Sequence, residues 1–79
     1  MAHWHTEETV YIGDAFGNPV QAKVGVVTVN KRTTFGIQIN RDNPQDQPDY
    51  TADLTALSDL RSAIDMQRSA LIRVTGGMQ

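Results

Sequence analysis

The fold is decided by residues 20–39, VQAKVGVVTVNKRTTFGIQI, where two segments of alternating apolar residues flank Asn30-Lys31. If these two residues form a two-residue turn, residues that face each other have numbers that sum to 61. The apolar residues then pair on one face of the hairpin: Val26 with Phe35, Val24 with Ile37, and Ala22 with Ile39. Asn accepts the left-handed conformation that such a turn needs, whereas Lys at the second position is poorer than Gly, so a longer tip loop stays an alternative.

The reverse face of this hairpin also carries apolar residues near its tip. Val27 and Val29 lie there among polar neighbours, and Tyr11 of the preceding segment is a candidate to join them. A single helix covers only one face of a sheet, so the pattern predicts that these residues form an exposed patch or half of an interface.

A first strand is predicted upstream of the hairpin, over residues 6–13. Trp4, Val10 and Ile12 share one parity, which places them on one face of an extended segment. The turn formers of residues 14–19, DAFGNP, then predict a connecting loop. Phe16 is a lone aromatic residue in this loop, and we expect it to anchor the loop against the core rather than to be exposed.

Residues 41–49, RDNPQDQPD, are polar and contain two prolines, so they predict a surface loop. The aspartates of this loop do not follow the spacing of a calcium-binding loop and are expected to be solvated. After the loop, the alternation of Tyr50, Ala52 and Leu54 predicts a short fourth strand before Thr55. The helix that follows is expected to be capped by Thr55, with an earlier cap at Thr51 as the alternative.

The C-terminal part of the chain predicts one amphipathic helix. Its apolar residues follow helical spacing: Leu57, Leu60, Ile64, Leu71 and Val74. Small residues recur beside them and allow a neighbouring backbone to approach closely: Ala56, Ala63 and Ala70. A coiled-coil seam is an alternative, but the repeat spans fewer than three heptads and includes Gln67, so packing on the sheet is favoured. Gly76 and Gly77 predict the end of the helix.

These segments together predict an α+β fold. It consists of a small antiparallel β-meander of three to four strands, followed by one long C-terminal amphipathic helix packed on one sheet face. The expected boundaries are an N-terminal tail at residues 1–5, a single domain at 6–75 and a C-terminal tail at 76–79.

Composition narrows the classes of function. The chain has 79 residues and no cysteine, so neither disulfides nor cysteine-bound zinc supplement its small core, and a second copy is the compensation left. The absence of cysteine and of a visible secretion signal favours the cytoplasm, and no apolar segment is long enough for a membrane. Seven basic and nine acidic residues give a formal net charge of −2, which argues against broad attraction to nucleic acid.

Residues able to carry chemistry are sparse. His3 and His5 alternate in an extended segment with Glu7 and have the spacing of a weak metal site, but solvated imidazoles at a frayed terminus are the favoured interpretation. No nucleophile, base and pocket combine into a catalytic pattern. We therefore expect a protein that is not an enzyme and that holds no metal or cofactor.

The leading hypothesis is a small protein-interaction module, a homodimer that binds and modulates a larger, unidentified protein. The expected interface residues lie on the outer sheet face and on the alanine side of the helix: Val27, Val29, Tyr11, Ala56, Ala63 and Ala70. In its size and lack of cysteine the chain is similar to accessory proteins of bacteriophages and mobile elements, a resemblance that implies a viral protein acting on a host protein.

The alternative hypothesis is a protein that binds single-stranded nucleic acid. Its candidate contacts lie on or beside the hairpin: Lys23, Lys31, Arg32 and Arg41. Over residues 20–72 the order of strands and helix resembles the single-strand-binding transcriptional coactivators, in which paired strands form a basic channel and helices form the dimer. The net negative charge of this chain departs from that family, and basic residues that keep a sheet edge soluble are the favoured interpretation.

Overall fold

The strands of the sheet come first along the chain, and the helix comes after them. The computed structural model describes residues 1–39 and 42–76, and within them a four-stranded antiparallel sheet precedes one helix. The elements are β1 (His3–Gly13), β2 (Pro19–Val29), β3 (Arg32–Gln38), β4 (Tyr50–Ala52) and α1 (Leu54–Val74). Neighbours in sequence are neighbours in the sheet, in the order β1-β2-β3-β4. The predicted α+β fold is confirmed, including the short fourth strand.

The β2–β3 hairpin has the predicted register. Two of the three predicted apolar pairs form: Val26 with Phe35, and Val24 with Ile37. The third, Ala22 with Ile39, is not part of the ladder, because β3 ends at Gln38.

The tip of this hairpin is the predicted two-residue turn. Asn30 and Lys31 have φ values of 52° and 67°. Positive φ at both central residues is the requirement of a type I′ turn, which matches the right-handed twist of the two strands. The alternative of a longer tip loop is therefore wrong.

β1 begins three residues before the predicted start and contains a bulge. Thr6 pairs with Val26, but Trp4 pairs with Val27, so β1 accommodates one extra residue between the two pairs. Gly25 allows β1 to approach closely at this point, because a Cβ there would overlap the carbonyl oxygen of Thr6.

The bulge reverses the side on which the tryptophan lies. In an unbroken strand Trp4 would share a face with Val10 and Ile12, as the parity of the sequence predicts. The extra residue turns Trp4 to the opposite face, so this part of the prediction is wrong. Residues 3–5, expected in a tail, belong to β1.

The two faces of the sheet differ in character. One, called here the apolar face, carries mainly aliphatic and aromatic side chains: Val10, Ile12, Val20, Ala22, Val24, Val26, Phe35 and Ile37. The other, called here the loop face, carries Trp4, Lys23, Val27, Gly36 and Gln38. Contacts from residues 46–48 reach the loop face, as described below.

The most deeply buried large side chain lies on the loop face. Val27 is 0% exposed. Gly36 leaves room for its neighbours, because a Cβ there would lie 2.6 Å from Val27 Cγ1, 3.0 Å from Pro48 Cβ and 3.3 Å from the Trp4 ring. The expectation that Val27 forms an exposed patch is wrong, because the bulge brings Trp4 onto this face and residues 46–48, called here the proline loop, fold over it.

α1 is capped by Asp53, and not by Thr55 or Thr51. The Asp53 carboxylate accepts a hydrogen bond from the backbone N–H of Ala56 at 2.8 Å, which satisfies one of the free donors of the first turn. At the other end Gly76 adopts a φ of 73°, the left-handed conformation that commonly terminates a helix. The second glycine predicted there lies outside the described residues.

The loop between β1 and β2 is organised by an aspartate. The Asp14 carboxylate accepts hydrogen bonds from the backbone N–H groups of Asn18 and Phe16, both at 2.9 Å, and these bonds hold the pKa of Asp14 below its usual value. The Phe16 side chain is 90% exposed. The prediction that Phe16 anchors this loop on the core is therefore wrong.

Candidate interaction surface

The apolar stripe of α1 lies in solvent. Six residues at heptad spacing form what we call the seam: Leu57, Leu60, Ile64, Gln67, Leu71 and Val74. The helix contacts the sheet at β3 and β4, and none of its 21 residues, all in the described part of the chain, is buried. Ile64, near the middle of the seam, is 57% exposed. Such a stripe normally faces a core, so its exposure makes it the first candidate for an interaction surface.

The two flanks of the seam differ in size and charge. The residues on one flank are alanines, as the sequence predicts: Ala56, Ala63 and Ala70. Ala56 and Ala63 are exposed and Ala70 is half-buried. The other flank carries Arg61 and Arg68. The seam therefore has one side on which a second backbone can approach closely and one side that bears positive charge.

A groove joins the seam to the sheet. Its walls are the Phe35 ring on the apolar face and the first three turns of α1, chiefly Leu54, Leu57, Leu60 and Ile64. Val26 and Ala52 extend the same apolar lining toward β2 and β4. The groove is continuous with the seam, so both belong to one apolar surface.

The apolar face continues beyond the reach of the helix. Val10 and Ile12 on β1 are exposed, and Val20 beside them is half-buried. α1 approaches β3 and β4, which lie at the other side of the sheet. A second apolar patch, formed by Val10, Ile12 and Val20, is thus separate from the seam; we call it the β1–β2 patch.

A latch on the loop face centres on Asp46. Its carboxylate accepts hydrogen bonds from Gln38 Nε2 at 2.7 Å and from Lys23 Nζ at 3.0 and 3.2 Å. Its backbone carbonyl accepts a hydrogen bond from Trp4 Nε1 at 2.8 Å. Lys23 Nζ also lies 4.3 Å from the Trp4 ring centroid, within range of a cation–π contact. One loop residue therefore joins β1, β2 and β3.

The latch corrects the expectation that the aspartates of residues 41–49 are only solvated. Hydrogen bonds from Gln38 and Lys23 hold the pKa of the Asp46 carboxyl below its ordinary value of 3.8. Asp46 also has a φ of 54°, which aspartate tolerates better than most residues. No pattern within the loop predicts this role, because its partners lie 8 to 42 positions away in sequence.

The structure separates the outer-face residues that the sequence groups together. Val27 is buried, and Val29 is half-buried near the hairpin tip. Tyr11 is exposed, and its hydroxyl accepts a hydrogen bond from Gln21 Nε2 at 2.8 Å. Because Gln21 precedes Val27 by six residues, Tyr11 lies roughly 20 Å along the strand from Val27. These three side chains do not form one surface.

The basic residues are also spread apart. Lys23 is engaged by Asp46, while Lys31 and Arg32 are exposed at the hairpin tip. The tip begins at Asn30, seven positions after Lys23, or roughly 23 Å along β2. Arg41 lies outside the described residues. No basic channel is assembled from the three that are described.

The histidines make contacts within the protein. The His3 and His5 rings meet edge to face with centroids 4.6 Å apart, and His5 Nε2 hydrogen-bonds Thr28 Oγ1 at 2.8 Å. Among the described residues, no group of three or more histidines and acids has the geometry to hold a metal ion.

Comparisons with known proteins assign no family. No protein-family model matches the chain, and no curated protein or solved structure is significantly similar to it. In the described residues, the single helix is too polar to cross a lipid bilayer.

Replacing Asp46 tests the latch. Asn at this position tolerates the positive φ but removes the charge, so we expect Asp46→Asn to lower the free energy of unfolding at pH 7 by up to about 1 kcal/mol, given the exposure of the carboxylate. Because the folded pKa lies below 3.8, this contribution is present above pH 3.8 and disappears as the pH falls through the folded pKa.

Urea unfolding followed by the fluorescence of Trp4, the one tryptophan in the chain, measures the effect directly. Asp59→Asn on α1 is the matched loss of charge and is expected to leave the acid dependence of the wild type intact. An Asp46→Asn variant with the same stability at pH 7 and the same acid dependence as the wild type would show that the latch is not stabilising.

Proposed function

We propose that this protein is a small, non-enzymatic protein-interaction module. It works as a homodimer, held together through the seam of α1, and offers its β1–β2 patch to a larger protein. The observation that carries the proposal is the exposure of the apolar stripe of a 21-residue helix, in which Leu60, Ile64, Leu71 and Val74 are exposed and only Leu57 is half-buried. Its cysteine-free composition favours work in the cytoplasm.

The helix needs more support than its own sheet supplies. Most helical stability in proteins comes from packing of the apolar face against a partner, rather than from the propensity of the helix itself. Each aliphatic side chain of the seam gains about 1.5–3 kcal/mol when it is fully buried. A partner that covers the seam therefore stabilises α1 itself, which favours a permanent association over a transient one.

α1 is straight and does not bend back over the apolar face of its own sheet. Residues 54–74 contain neither glycine nor proline, the usual causes of a sharp kink. α1 is therefore one rigid rod of roughly 31 Å that contacts the sheet only at β3 and β4. The remaining turns are not covered by the described part of the chain, and every copy carries the same exposed seam.

The part of the proposal that concerns a larger protein is supported by the β1–β2 patch. Val10 and Ile12 stay exposed at a distance from the seam, so dimerisation through α1 leaves them accessible. A patch of aliphatic side chains on a rigid sheet is typical of a protein-binding surface. A dimer displays this patch twice.

Introducing a charge into the seam tests the homodimer. Wild-type protein is expected to sediment at twice its mass of 8.7 kDa, and Ile64→Asp to sediment as a monomer. The substitution removes about 2 kcal/mol or more of binding free energy from each copy, which raises the dimer Kd by a factor on the order of 10³. Sedimentation velocity over a range of concentrations provides the measurement.

Ser69→Asp is the matched control, because it adds the same charge to the opposite face of α1. It should leave the dimer unchanged. A wild-type monomer at all concentrations, or an Ile64→Asp protein that still dimerises, would contradict the proposal.

A charge in the β1–β2 patch tests the larger partner. Affinity capture with tagged wild-type protein, with and without nuclease, is expected to enrich one host protein at near-equal stoichiometry in both conditions. Val10→Asp should abolish this capture, because a charge at the centre of the patch would be desolvated in the complex. Thr9→Asp, one residue away on the opposite face, should retain it.

Two outcomes would contradict this part of the proposal. Capture that Val10→Asp does not affect would remove the patch from the interface. A nuclease-sensitive set of proteins would instead favour the nucleic-acid hypothesis.

A further inference from the structure

The seam of α1 is complementary to the seam of a second copy that runs in the opposite direction. If two copies of the helix run antiparallel about an axis between residues 65 and 66, facing residues have numbers that sum to 131. The seam residues then meet one another in three kinds of pair: Leu57 with Val74, Leu60 with Leu71, and Ile64 with Gln67. Two of these pairs are wholly apolar, and in the third Gln67 packs its stem against an aliphatic side chain.

We propose that the partner of α1 is the α1 of a second copy in this antiparallel register. The last turn of each helix occupies the groove beside Phe35 of the other copy. This inference rests on the proposed homodimer and specifies its geometry, the residues in contact and the direction of the two chains.

The two ends of the helix favour this direction over a parallel one. Leu54 and Val74 are 80% and 81% exposed and lie at opposite ends of α1. In the antiparallel register Val74 of the second copy reaches the level of Leu57, about one turn from Leu54. In a parallel pair each end would meet its own equivalent, and the C-terminal end with Val74 would stay far from the groove beside Phe35.

The alanine flank of the seam favours the same direction. In an antiparallel pair the alanine flanks of the two helices face each other, and Ala63 of each copy is nearly level with Ala70 of the other. Small residues on both sides allow the backbones to approach closely. The other flank brings Arg61 and Arg68 of the two copies together, with the Asp65 carboxylates among them. Repulsion between these arginines opposes the pairing, because they lie closer together than the Debye length of about 8 Å at physiological ionic strength.

The exposed area is sufficient for a stable dimer. The seam with Leu54 offers six aliphatic side chains, each exposing on the order of 100 Å², against about 800 Å² per partner in a standard interface. The groove lining of Phe35, Val26 and Ala52 adds further apolar area. A second copy therefore covers enough of this surface without any further protein.

Cysteine crosslinking tests the register cleanly, because the chain contains no cysteine of its own. Leu60→Cys and Leu71→Cys are prepared separately, mixed in equal amounts, allowed to exchange and oxidised. We expect a disulfide-linked dimer in the mixture, joining position 60 to position 71, and little crosslinking of either variant alone. Non-reducing electrophoresis and peptide mass spectrometry identify the linked positions. Leu57→Cys with Val74→Cys repeats the test at the ends of the helix, should the first pair fold poorly.

The outcomes distinguish this inference from the proposed function on which it rests. Leu60→Cys that links to itself shows a parallel pair, which overturns the antiparallel register but keeps the homodimer. A wild-type dimer in sedimentation with no crosslink from either cysteine pair places the dimer contact elsewhere and also overturns the inference. Wild-type protein that sediments as a monomer would contradict the proposed homodimer itself.

Discussion

The two-residue turn at Asn30 and Lys31 fixes the register of the sheet, and both surfaces of the molecule follow from that register. Because side chains alternate along a strand, a slip of one residue would exchange the faces of β2 and β3. The observed register places Val24, Val26 and their partners on one face, and Val27 on the other. The first face leads into the groove and the seam of α1, while the second holds the buried valine under the proline loop.

The two sheet faces differ in what covers them, and this difference explains how so short a chain forms a core. The loop face closes within one chain, because Trp4, Pro48 and the Asp46 latch cover Val27. In the described part of the chain, only the small Ala22 is buried on the apolar face, and no residue of the helix is buried. A small domain buries a limited fraction of its surface, and here the one large side chain that the structure describes as fully buried lies on the loop face. The proposed second copy supplies the cover for the helix and its groove.

The features that the sequence predicts correctly depend on local patterns. The hairpin register, the short β4 and the extent of α1 follow from alternation, helical spacing and turn residues. The features it misses depend on distant contacts or on competition between near-equal local signals. The bulge that moves Trp4 to the loop face depends on Gly25, which lies on another strand. The Asp46 latch joins residues up to 42 positions apart. The cap at Asp53 lies between two threonines that are equally suited by residue type. Of the candidate site, Ala56 and Ala63 are exposed and Ala70 is half-buried, whereas the distant contacts bury Val27.

The central claim is that α1 owes its stability to a second copy of the chain. Thermal unfolding monitored by circular dichroism at 222 nm, at protein concentrations spanning three decades, tests it most directly. A helix stabilised by dimerisation predicts a midpoint temperature that rises with concentration, because unfolding then releases two chains. A midpoint that is independent of concentration, with full helical signal at the lowest concentration, would contradict the account.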